Sequence, residues 1–125
     1  MILYGCAVWA VPFGISLFFF TPSGELKTDV FLFKSIMILS AGSTGAGLML
    51  SHLGRQTSDW SRHGLIAGCA WLLINWGLDF VILLPLSGET LDVYFMRTGM
   101  RYLALPVTGW TMGAAMTRTA RAAGD

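Results

Sequence analysis

The sequence predicts an all-α integral membrane protein with four transmembrane helices, built from two tandem parallel hairpin repeats. Apolar residues make up 54% of the 125-residue chain and charged residues only 12%, so a soluble domain of this size would expose much apolar surface to water. The chain also matches itself at a spacing of 63 residues, which is typical of an internal duplication. Together these observations predict one four-helix transmembrane domain over residues 1–125.

Four apolar runs define the predicted helices, at residues 2–20, 30–53, 64–86 and about 96–116. Each run is close to the ~20 residues that cross a ~30 Å hydrocarbon layer as a helix. Helices are favoured over barrel strands because the runs lack a two-residue alternation. Asp29 is the predicted cap of the second helix and Gly54 its predicted end. The connections are short, so consecutive helices are expected to be antiparallel neighbours.

The predicted repeats cover about residues 1–62 and 64–125. Identical residues at the common offset include Gly5-Cys6-Ala7 with Gly68-Cys69-Ala70, Gly14 with Gly77, Pro22 with Pro85, and Asp29-Val30 with Asp92-Val93. A two-helix unit returns the chain to the side on which it began. The two hairpins are therefore expected to be parallel repeats about an axis along the membrane normal.

Basic residues near the helix ends predict the orientation. The middle loop and the tail carry Arg55, Arg62, Arg118 and Arg121, whereas the opposite loops carry only Lys27. Because cytoplasmic loops are enriched in Lys and Arg, the N and C termini are predicted to be cytoplasmic.

Asp79 is the exceptional ionisable residue, since it falls well inside the third apolar run. A charge near the bilayer centre costs at least ~2.5 kcal/mol on insertion scales, so such residues are usually paired or functional. Arg101 is expected at a similar depth in the fourth helix. The repeat positions that match them are Ser16 and Ile38, so one half has both charges and the other has neither. An Asp79–Arg101 ion pair is therefore predicted.

Three further residues complete the predicted polar cluster in the outer half of the bundle. Asn75 lies one helical turn before Asp79, on the same face. Lys34 and Arg97 lie nearer the outer boundary, where their stems can carry the charge to water. Two interpretations stay open: a buried pair that fixes helix register, or an ion or proton site.

Small residues predict close helix packing. Gly42 and Gly45 lie in the second helix, and Gly109 and Gly113 form a G-x-x-x-G pair in the fourth. Such residues let helix backbones approach each other in lipid. Packing within the chain is the favoured interpretation, and a dimer face or a narrow pore lining is the alternative. Pro106 is expected to bend the fourth helix.

Other chemistry has little support in the sequence. Cys6 and Cys69 are expected to be buried thiols outside any C-x-x-C motif. His52 and His63 are too few for a zinc site, so no metal and no cofactor is predicted. Catalytic, phosphate-binding and nucleic-acid motifs are absent, so an enzyme is the least supported class and nucleic acid is not an expected partner.

Two function classes follow. The first is ion- or proton-linked transport or channel activity through a homo-oligomer, because small transporters are often built from repeats around a polar site. The alternative is an accessory or assembly subunit of a larger membrane complex, with Asp79 and Arg101 as a structural pair. The lipid bilayer is the expected partner in both cases, together with further copies of the chain or other membrane subunits.

Overall fold

The computed structural model describes residues 1–124, is 81% helical and contains no strands in this range. Its helices are α1 (Ile2–Leu17), α2 (Val30–Leu53), α3 (Trp60–Ser87), α4 (Leu91–Arg97) and α5 (Ala104–Gly124). The prediction of an all-α protein is confirmed. Two of the described helices, α2 and α3, are long and apolar enough to cross a membrane. Asp125, the end of the second predicted repeat, lies outside the described residues.

Local signals place the ends of α2 as predicted. The Asp29 carboxylate accepts hydrogen bonds from the backbone N–H groups of Phe31 and Leu32 at 2.9 and 3.0 Å. These are two of the donors that have no partner inside a helix, so the cap satisfies them. At the other end Gly54 is the C-cap, and its N–H bonds to the Leu50 carbonyl.

A wide turn interrupts α3 near its end. Residues Asp79–Leu83 form a π-helical turn, in which the Leu84 N–H bonds to the carbonyl of Asp79, five residues earlier. Pro85 follows directly. A proline inside a helix has no N–H and crowds the carbonyl four residues before it, so the ladder must widen or break at this point. The π turn lets α3 continue to Ser87.

The fourth predicted helix is not continuous. The chain leaves helical geometry at Thr98 (φ −131°, ψ −52°), and Gly99–Leu103 form a 3₁₀ segment before α5 begins. The prediction of one helix from about residue 96 is therefore wrong. Pro106 lies in the first turn of α5, where backbone N–H groups have no acceptor within the helix, so a proline there removes no helical hydrogen bond. It helps to start the helix and does not bend its interior.

The tightest packing joins α3 to α5. Their backbones touch at Gly64 and Gly109, at Gly68 and Pro106, and at Trp60 and Gly113. α1 packs on α2 and α3, whereas the contact between α2 and α5 is limited. The buried apolar core is formed by Val8, Met49, Leu53, Ala67 and Trp71. This arrangement holds α3 and α5 as one close pair and leaves space beside α2.

Candidate functional site

The site centres on the carboxyl group of Asp79, which is only 1% exposed. Asp79 begins the π turn of α3. Burial of an ionised carboxylate is unfavourable unless other groups supply hydrogen bonds or charge. The partners of this carboxyl group therefore decide what the site can do.

Two neutral donors satisfy the carboxyl group. The indole Nε1–H of Trp9 on α1 donates to Oδ1 at 2.5 Å, and the hydroxyl of Tyr94 on α4 donates to Oδ2 at 2.5 Å. Tyr102 in the 3₁₀ segment also lies close to the carboxyl group. Because an indole can only donate, Oδ1 must act as an acceptor. Tyr94 can donate or accept, so a proton on Asp79 fits at Oδ2 without loss of either contact.

Aromatic contacts hold the two donors in place. The Trp9 ring stacks on Phe13, with ring centroids 4.5 Å apart. The Tyr94 ring is packed edge-to-face against Phe80 and Phe95, at 5.7 and 5.3 Å. Such pairs add stabilisation beyond the burial of their area. The geometry around Asp79 is thus fixed by packing on three helices.

A cavity of about 530 Å³ lies against this carboxyl group, between α1, α2, α3 and the start of α5. Most of its wall is apolar, and α2 contributes small residues that include Ala41, Gly42, Gly45 and Ala46. Within the described part of the chain, the cavity wall contains one carboxyl group, that of Asp79, and one guanidinium group, that of Arg101. Exposed residues of α2 and of the 3₁₀ segment line one side, so the cavity opens to the surface there. Its volume is in the range of sites that hold small organic molecules.

Comparison of the chain with protein-family models, with curated proteins and with solved structures finds no match. The function of the chain is therefore inferred from the geometry of the site.

The predicted ion pair between Asp79 and Arg101 is not formed among the described residues. The salt bridge that the structure contains there joins Arg97 to Glu89, with 3.0 Å between Nη1 and Oε1. The break at Thr98 places Arg101 in the 3₁₀ segment, where it is exposed. Trp9 and Tyr94 occupy the carboxyl oxygens instead. The two charges still line the same cavity.

The other members of the predicted cluster lie outside the cavity. Lys34 is exposed on α2, and Arg97 is exposed and paired at the surface. Asn75 is fully buried, but its Nδ2 donates to the carbonyls of Gly5 and Trp71 and not to Asp79. Its Oδ1 has no hydrogen-bond partner among the described residues. Asn75 therefore links α3 to α1 below the carboxyl group.

The predicted packing glycines fall into two groups. Gly109 and Gly113 are buried against the backbone of α3, where a side chain would collide with main-chain atoms. Gly42 and Gly45 line the cavity, and the surroundings of Gly42 are open. The glycines of α5 therefore close a helix contact, and Gly42 leaves space for an occupant. Gly45 is buried, and a Cβ there would meet Leu105 at 3.3 Å.

Trp9 and Tyr94 were missed as site residues because tryptophan and tyrosine at these positions also fit an interfacial belt. The sequence did contain one indication of their role, because a buried carboxyl group needs hydrogen-bond donors. An acid inside an apolar run requires them, and aromatic residues with an N–H or O–H supply them in apolar surroundings. The sequence could not show which of the aromatic donors reaches Asp79.

No metal centre is present in residues 1–124, because no three His, Cys, Asp or Glu side chains come together there. His52 packs edge-to-face on Trp71, with ring centroids 6.2 Å apart. Both cysteines are free thiols, and the thiol of Cys69 is exposed, contrary to the expectation that both would be buried.

Proposed function

We propose that this chain is a multi-pass membrane protein that carries out ion- or proton-linked transport, with Asp79 as its titratable residue. The observation that carries the proposal is a buried carboxyl group, without a cationic partner, on the wall of a cavity inside a helical bundle. Intramembrane carboxyl groups of this kind are characteristic of proton and ion pathways. Because the Tyr94 hydroxyl can donate or accept, its hydrogen bond with Asp79 can form whether or not the carboxyl group carries a proton.

Surface composition supports a membrane location with four spans. Several large apolar residues on different helices are more than 70% exposed: Leu3, Phe18, Phe31, Leu39, Val81 and Met96. Lipid, and not water, is the favourable surrounding for such a surface. α5 has 21 residues, and at ~1.5 Å per residue it is about 31 Å long. Its part before Arg118, together with the 3₁₀ segment, would form the fourth span. α1 is shorter, with 16 residues, and would complete its span with the turn that follows.

The proposal includes the orientation and the assembly predicted from the sequence. Both termini are cytoplasmic, which places Asp79 in the outer half of the bundle. The active form is a homo-oligomer, because one cavity beside α2 does not form a complete path through four helices. Ser43 and Gly47 are exposed one helical turn apart, so α2 offers a face of small residues that a second copy can approach closely.

One observation favours the alternative of an accessory or assembly subunit. Two donors already satisfy the carboxyl group of Asp79, so the residue has a complete structural explanation as a link between α1, α3 and α4. On this alternative the exposed face of α2 would bind another membrane subunit. The two functions make different predictions for a folded variant that lacks the charge.

The test is a flux measurement in proteoliposomes under a pH gradient. The parent, Asp79→Asn and Asp92→Asn are compared. Asp92 is an exposed carboxylate at the start of α4 and serves as the matched control. Loss of pH-dependent flux in a folded Asp79→Asn protein, with flux retained in Asp92→Asn, supports transport. Absence of flux in the parent overturns the proposal in favour of the subunit function, and equal flux in all three proteins removes Asp79 as the titratable residue of transport.

A further inference from the structure

We infer that the cavity beside Asp79 binds an amphiphile with one anionic headgroup and one acyl chain, with the headgroup on Arg101 and the chain against α2. This inference rests on the proposed membrane transport function and names its ligand class. Two observations carry it: a guanidinium group without a carboxylate partner at the mouth, and an apolar interior of suitable size.

The charge available at the mouth is positive. Arg101 lines the cavity and is exposed, and no carboxylate in the described part of the chain lies within salt-bridge distance of it. Asp79 also lines the cavity, but it is 1% exposed and its oxygens accept from Trp9 and Tyr94. A ligand therefore meets a guanidinium fork, which matches a carboxylate or a phosphate group in geometry.

The position of Arg101 fits a headgroup. It lies in the 3₁₀ segment immediately before α5, so it is at the outer end of that span. Thr98 lines the cavity near it and offers a hydroxyl group to the same headgroup. A headgroup at this level stays close to water, while its chain extends into the bundle.

The interior fits an acyl chain. Val8 and Phe13 of α1 and Met37, Ala41 and Met49 of α2 all contribute to its wall. Methionine side chains adapt to irregular apolar ligands, and the small residues of α2 provide the width. The limited contact between α2 and α5 leaves the side through which a chain can enter from the bilayer.

Binding is tested in nanodiscs of zwitterionic phospholipid with radiolabelled laurate, without any ion gradient. Parent, Arg101→Gln, Arg97→Gln and Gly42→Leu proteins are compared after circular dichroism and size-exclusion chromatography have shown each to be folded. Arg97→Gln is the matched control, since it removes the same charge four residues away and outside the cavity. Gly42→Leu narrows the cavity at a position with open surroundings and keeps Arg101.

We expect Arg101→Gln and Gly42→Leu to weaken laurate binding about tenfold or more, because one charge-assisted contact or the chain site is lost. Arg97→Gln should bind like the parent. If the natural ligand has a phospholipid-type headgroup, dodecyl phosphate should compete with laurate for binding. If the natural ligand is a free fatty acid, only carboxylates should compete. Either result supports the inference. Equal binding by Arg101→Gln and parent, or equal competition by dodecyltrimethylammonium, overturns it.

The two proposals fail separately. Arg101-dependent binding without flux in proteoliposomes would retain the ligand site and remove transport. Asp79-dependent flux without Arg101-dependent binding would retain transport and remove this ligand class.

Discussion

The indole N–H of Trp9 donates a hydrogen bond to Oδ1 of Asp79 over 2.5 Å, across 70 positions of the chain. The bond joins α1 to the π turn of α3 at the wall of the cavity. Together with the Tyr94 hydroxyl, it gives the carboxyl group two partners without any cation. An ion pair would give a buried acid both hydrogen bonds and a compensating charge. At Asp79 the hydrogen bonds are present without the compensating charge.

This arrangement predicts different results for two substitutions at Asp79. Asp79→Asn should fold with stability close to the parent, because the amide oxygen accepts from Trp9 and the amide nitrogen donates to Tyr94. Asp79→Leu should lose about 1–3 kcal/mol for each donor left unsatisfied in the interior. Thermal unfolding in a mild detergent, followed by circular dichroism, measures both. Equal destabilisation by Asn and Leu would contradict the hydrogen-bond arrangement.

Tyr94→Phe should destabilise the protein by about 1–3 kcal/mol, because it removes a hydrogen bond to a buried carboxyl group. The phenyl ring keeps the edge-to-face contacts with Phe80 and Phe95. The matched control is Tyr4→Phe, which also removes one hydroxyl group and keeps an edge-to-face contact, in this case with Trp71. The same thermal unfolding measurement gives the loss of stability for both variants. A loss for Tyr4→Phe as large as that for Tyr94→Phe would show that the contact with Asp79 contributes nothing specific to stability.

Gly64→Val should disrupt the pairing of α3 with α5. A Cβ at Gly64 collides with the backbone of Gly109, and a backbone cannot move aside as a flexible side chain can. Gly77→Val is the control, because an added Cβ at Gly77 meets nothing within 4 Å. We expect loss of the monodisperse peak in size-exclusion chromatography for Gly64→Val only. A normal elution profile for that variant would show that the helices do not pack through this contact.

The proposed orientation predicts which loops a membrane-impermeant thiol reagent reaches. In a background in which Cys6 and Cys69 are replaced by Ala, Ser23→Cys should react from outside intact cells. Ser58→Cys should react only after the cells are opened, because it lies in the loop between α2 and α3. Labelling of Ser58→Cys in intact cells, with Ser23→Cys protected, would reverse the orientation.

Arg97→Gln should lower the unfolding temperature by at most about 4 °C. Its salt bridge with Glu89 is at the surface, with side-chain exposures of 65% and 27%, and such pairs contribute about 0–1 kcal/mol. The measurement is the thermal unfolding described for Asp79. A shift as large as that of Asp79→Leu would mean that the loop between α3 and α4 is more important for stability than its exposure indicates.

Local signals made part of the fold predictable. The ends of α2 followed from Asp29 and Gly54, because a cap depends on residues next to each other in the chain. The fourth helix was predicted incorrectly because Pro106 fits a bend inside a helix and a first turn equally well. The choice between them depends on how α5 packs on α3, which a local pattern does not contain. The four spans and the repeat stay predictions.

The candidate site was predictable only in part, for the same reason. Asp79 was identified because a carboxylate is rare in an apolar run. Its expected partner was Arg101, since charge and depth were the only criteria that the sequence offered. The actual partners lie on α1 and α4, and they reach Asp79 because α1 packs on α3 and because the chain breaks after Arg97. Both are tertiary features that no local sequence pattern contains.

The distance along the chain between Asp79 and its two donors has a consequence for biosynthesis. A ribosome makes Trp9 long before Asp79, and Tyr94 only 15 residues after it. In the proposed membrane location, α1 would already offer one donor when α3 enters the bilayer, and the second would arrive with the next segment of nascent chain. The acid would then be inserted with half of its hydrogen bonding in place, and the short α4 would complete it.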